Sequence, residues 1–92
     1  MDVWIRKPTP EEEALLKSQP TWEHDVDRWE AEYDAREETC LVVAGKAYVD
    51  LADGSRHDFS VGDLVTFRPG LKCTWGVEEP IRKHYIFNMN HT

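Results

Sequence analysis

From Trp22 to Phe87 the chain is cut into short apolar runs by residues that turn the backbone, and no stretch there keeps a helical period. The clearest run is TCLVVAG, Thr39 to Gly45, which reads as a central strand. KAYVDLADGSRHDF follows as a hairpin, with Ala47, Val49 and Leu51 on one parity and Asp53-Gly54 at the turn. DLVTF and CTWGV form two more strands around RPGLK, and IRKHYIF, Ile81 to Phe87, follows an acidic turn, EEP. Earlier, Trp29, Ala31 and Tyr33 alternate with Arg28, Glu30, Glu32 and Asp34, as in a strand covered on one side. Short strands this closely spaced predict an all-β fold, a small antiparallel barrel or sandwich. Closing the sheet also removes exposed edges that invite aggregation.

The start of the chain adds two elements. VWIRK, Val3 to Lys7, reads as an edge strand ended by Pro8 and Pro10. Thr9 then stands as N-cap, with Pro10 at the first helical position and Glu12 three residues after the cap, so a short N-terminal helix should begin there. Its apolar side, Ala14, Leu15 and Leu16, is too small to make a core and should lie against the outside of a larger body.

With 92 residues, the chain reads as a single domain, residues 1–92, and its ten aromatic side chains (four Trp, three Tyr, three Phe) suffice for one core. A net charge of -7 argues against nucleic acid or anionic lipid as partners. No window approaches a membrane span or a secretory signal, so the expected location is the cytoplasm. Cys40 and Cys73 lack the spacing of a zinc knuckle or a redox pair. His24, His57, His84 and His91 form no ligand motif.

Two segments together resemble the cupin superfamily, the RmlC-like jelly-roll barrels. Gly62-Asp63, the strand LVTF and Gly70 fit the family's second motif, and Cys73 stands where that motif places a metal-binding histidine. Arg68 takes the usual proline position, with Pro69 one place later. Glu38 and Gly45 keep the closing spacing of the first motif, while its histidine positions fall on Glu32 and Asp34, or on Ala31 and Tyr33 in the other register. Across Trp22 to Phe87, the segments EETCLVVAGKAYV, DGSRHDFSVGDLVTF and EEPIRKHYIF resemble the short stand-alone (S)-ureidoglycine aminohydrolase-like cupins. The resemblance implies a metal site made here from Glu32, Asp34, Glu38 and Cys73, without the family's histidines. Carboxylates and a thiolate suit a divalent cation such as zinc.

The family geometry would turn Cys73, Trp75 and Val77 inward, together with Glu38, Cys40, Val42 and Ala44. The thiols then either fill space or touch a ligand. Glu38, opening an apolar run, needs a partner such as Arg68, Lys83 or Tyr85 if it is structural. Trp29, Tyr33, Trp75, Tyr85 and Phe67 serve either as core or as the lining of a ring-binding pocket. His84 reads as an acid-base group or a surface contact, and Arg68 as an anion-binding group at the barrel mouth or a partner for a surface acid. Three functions follow: a barrel that binds a small organic molecule, a metal-dependent enzyme resembling ureidoglycine aminohydrolase, or a mainly structural homodimer. The dimer would use the N-terminal strand and the outward side chains of Leu41 and Val43.

Overall fold

The computed structural model describes residues 2–89; His91 lies outside them. The element order is β1 (Val3–Arg6), α1 (Pro10–Lys17), β2 (Thr21–His24), β3 (Asp27–Glu32), β4 (Glu38–Leu51), β5 (Arg56–Ser60), β6 (Leu64–Phe67) and β7 (Lys72–Phe87). All pairings are antiparallel, and β4 and β7 run beside each other from Glu38↔Phe87 to Leu51↔Cys73. They form a spine. Along the first part of β4 the sheet order is β1-β6-β4-β7-β2, whereas further along β5 flanks β4 and β3 flanks β7.

The sequence reading of four separate strands in this region needs correction. TCLVVAG and KAYVDL are one strand, as are CTWGV and IRKHYIF, and EEP lies inside β7 rather than at a turn. What resembled a boundary is a bulged bend, where the β4–β7 register slips three times between Val42 and Ala47. Gly45 sits there at φ 85°, and a Cβ on it would lie 2.1 Å from the Pro80 carbonyl oxygen. The slip also reverses the inward parity of β4. Cys40 and Val42 face the core before the bend, and Ala47 and Val49 face it afterwards, leaving Ala44 only half-buried.

The bend folds the two half-sheets over one core. Cys40, Val42, Val65, Phe67 and Ile81 come from one half and meet Ala47, Val49, Phe59, Trp75 and Val77 from the other. Helix α1 starts as its sequence predicts. Thr9 Oγ1 accepts from the Glu12 amide at 3.2 Å, and Glu12 Oε1 accepts from the Thr9 amide at 2.8 Å. The helix lies on the outer face of the first half-sheet, where fully buried Leu16 joins Leu41, Leu64 and Met89, with Val43 packed alongside. Leu41 is therefore covered by α1 rather than outward, while Val43 stays half-buried at the edge of that cluster. Asp63 accepts from the Ser60 amide at 2.9 Å and from Lys7 at 2.8 Å, closing the turn before β6. Among the described residues no helix is long and apolar enough to cross a membrane.

Candidate functional site

One end of the barrel opens into a cleft of about 390 Å3. Each half-sheet contributes a different chemistry to it. The second half supplies Trp29 from β3 and Trp75 from β7, register partners whose rings stack at 5.7 Å and 16°. The first half supplies Trp22 from β2, Glu38 from β4, and Lys83 and Tyr85 from β7. Tyr33 follows β3 and stacks on Phe67 at 4.7 Å, while its hydroxyl accepts the Trp75 indole hydrogen at 2.9 Å.

The polar centre of this wall is a buried ion pair. Lys83 Nζ donates to Glu38 Oε2 at 2.7 Å, and the two side chains are 7% and 12% exposed. Alternation along β7 turns Ile81, Lys83 and Tyr85 to the same side, so the lysine points inward from an otherwise apolar row. Its ammonium lies 5.0 Å from the ring centroids of both Trp22 and Trp75 and 5.8 Å from that of Phe67. Ring faces stabilise a cation that has lost most of its water. Taking both charges out of water is costly, and the short hydrogen bond together with the surrounding rings offsets that cost.

Burial pushes both cysteine thiols up to about 11. For Cys40 the nearby Lys83 charge opposes the burial effect and the Glu38 charge adds to it. Burial thus favours the neutral thiol over the thiolate at both positions. Burial, followed by the charge of Glu38, raises the Tyr33 hydroxyl well above the ordinary tyrosine range.

The structure gathers some of the sequence candidates and scatters others. Glu38, Trp29, Tyr33, Trp75 and Tyr85 meet in the cleft, whereas Cys40 is sealed in the core beside it. Cys73 borders a different cleft of about 590 Å3 with Asp50 and Lys72, so it does not share a cavity with Glu38. His84 is bound through Nδ1 to the Gln19 carbonyl at 2.8 Å, and its register places it on the side of the strand opposite Lys83. Arg68 pairs with Asp2 at the surface, which is the surface-acid role rather than anion binding.

The proposed metal set does not assemble. Among the described residues no three His, Cys, Asp or Glu side chains come close enough to hold a metal ion. Glu38 is engaged by Lys83, and Asp34 is held by Arg36 at 2.8 Å, which itself lies 3.8 Å over the Phe87 ring. Glu32 and Asp34 stand at the cleft's exposed margin. Sequence reasoning missed Trp22 as a wall of the site and named Lys83 only as one of three partners for Glu38. The inward parity of Lys83 in an apolar row was the available signal; Trp22 offered none, since its place depends on pairing with β7.

Comparison with known proteins places this geometry in a group. A family model described as the EutQ-like cupin domain matches residues 11–85. A crystal structure of a DUF861 family protein from Thermotoga maritima is similar at 43% identity and a TM-score of 0.85, covering 94% of this chain and 99% of that one. The EutQ protein of Clostridium difficile has a TM-score of 0.66 at 19% identity, covering 92% of this chain and 66% of that one. A putative ethanolamine utilization protein Q from Salmonella typhimurium gives 0.65 at 16% identity, with 92% and 68% covered. The last two likenesses concern the fold alone, and that fold is the expected jelly-roll barrel. No curated protein matched.

Proposed function

Because the chain belongs to the EutQ-like cupin domain family, we propose that it uses the open end of its barrel to bind a small organic molecule. The observation that carries this reading is the Lys83–Glu38 pair, buried yet bordering an open, ring-lined cleft. A ligand site needs a few fixed polar groups on an apolar wall, and this pair supplies them. The cleft volume of about 390 Å3 suits a compact organic ligand. Metal-assisted aminohydrolase chemistry finds no support in the donor arrangement, since the four candidate ligands do not converge.

The test is a screen of small organic compounds by saturation-transfer NMR, with tryptophan emission as the second readout. Ligands should perturb the emission of the wild type and lose about fivefold or more in affinity in Trp29→Ala, because ring stacking supplies on the order of 1 kcal/mol. Binding that survives Trp29→Ala unchanged would place the ligand elsewhere.

For self-association we assign the edge of β1, which pairs only with β6 among the described residues and carries Trp4 at 41% exposure. Sedimentation of the wild type against Trp4→Glu tests it, and equal masses for the two proteins would remove the assignment.

A further inference from the structure

The ligand class follows from which atoms of the ion pair are left over, and the inference rests on the cleft being a binding site. Lys83 spends one of its three N–H groups on Glu38 Oε2. Glu38 Oε1 has no hydrogen-bond partner among the described residues, and it is not sealed, because no buried side-chain oxygen there lacks a partner. The Tyr85 hydroxyl, also on the cleft, makes no hydrogen bond among the described residues. An acceptor and a donor therefore stand side by side at the polar centre of the cleft, held together at 2.7 Å.

Charge narrows the choice. A carboxylate entering the cleft meets Glu38, with Glu32 and Asp34 at the margin. A ligand ammonium at Glu38 Oε1 would stand beside the Lys83 ammonium already held on Oε2, and the two like charges repel. A neutral molecule disturbs neither charge. The stacked pair Trp29 and Trp75 borders the cleft on one side and Trp22 stands beside it, so the wall is aromatic, and rings favour flat partners.

We infer that the cleft recognises an uncharged, planar ring carrying a cis-amide edge, such as a lactam or cyclic imide. Its N–H donates to Glu38 Oε1, and its carbonyl oxygen accepts from Lys83 Nζ. The flat face lies among the indoles. Neither charge has to leave its partner, so the desolvation already met in folding is not repeated on binding.

A matched series decides the matter: 2-quinolone, N-methyl-2-quinolone, 2-naphthoate and 2-naphthylmethylamine, measured on the whole protein by calorimetry and saturation-transfer NMR. All four are flat bicycles and differ at the edge. The expected result is that 2-quinolone binds tightest, with a loss of about tenfold or more on N-methylation because Glu38 then keeps an unmet acceptor. Equal binding of the N-methyl compound would overturn the paired donor and acceptor. Tighter binding of the naphthoate or the amine would overturn the neutral class while leaving the cleft as a binding site. Silence from all four in the cleft would overturn both readings. In Glu38→Gln the lysine charge is no longer balanced, and the order should turn toward 2-naphthoate. A melting curve confirms that the variant is folded, and the wild-type ranking stands as a test without it.

Discussion

Replacing Lys83 with methionine removes one charge of a buried pair and keeps most of the side chain's bulk. Glu38 remains behind, 9% exposed, with its one hydrogen-bond partner among the described residues gone. Breaking a buried pair from one side costs about 3–5 kcal/mol, and the lower end applies here because Glu38 Oε1 still reaches the open cleft. For a domain of this size that is a fall in Tm of roughly 12 °C or more. Glu38→Gln in the same chain should recover most of the loss, since a neutral amide beside methionine leaves no buried charge. Urea unfolding of the wild type, the two single variants and the double variant gives the coupling energy directly, and we expect at least about 2 kcal/mol. A Lys83→Met variant within about 1 kcal/mol of the wild type would mean that the pair is solvated like a surface bridge. The account of the cleft's polar centre would then fail. So would it if the double variant were destabilised by the sum of the two single changes.

Three further outcomes follow from other parts of the molecule. Gly45→Ala should cost about 3 kcal/mol or more, since the residue holds φ 85° and a Cβ would lie 2.1 Å from the Pro80 oxygen; an unchanged urea midpoint would refute this. Both thiols, raised to about 11, should resist maleimide at pH 7 in the folded protein and react promptly in denaturant, with mass spectrometry as the readout. The Arg6 guanidinium, followed by the Thr9 amide, lowers Glu12 from 4.5 to about 2. Its contribution is therefore complete above pH 4.5 and is lost as pH falls to about 2. The stability gap between wild type and Arg6→Gln should close across that window, and a gap independent of pH would contradict the assignment.

Local features were legible in the sequence because neighbouring residues decide them. The capping box at Thr9 and Glu12, the turn at Gly54 and the alternation of Trp29 and Ala31 with Arg28 and Glu30 all stand where sequence reasoning puts them. The long strands were not legible. Whether Gly45 and EEP end a strand or bend one depends on Pro80 meeting Gly45 across the β4–β7 pair, a contact between residues far apart in sequence. The same limit hid the cover over Leu41, since nothing near it in sequence announces Leu16. For the cleft, parity identified the inward rows but not their heights along the barrel. Cys73 and Glu38 each sit in an inward row and yet open on different cavities. Glu38's need for a partner was chemical and could be foreseen; the selection of Lys83 rested on register.

The place of β7 as the strand against which β2, β3 and β4 all pair has a consequence in time. It follows β2 and β3 by about fifty residues in chain order, so during synthesis the two short strands that carry Trp22 and Trp29 emerge long before the strand that receives them. Until residues 72–87 arrive, those strands are unpaired and their tryptophans have no wall to join. Folding must then close several long loops at once, which makes such topologies slow and cooperative. The cleft should therefore appear in a single kinetic step with the whole barrel, and tryptophan emission and β-sheet circular dichroism should rise with the same rate constant.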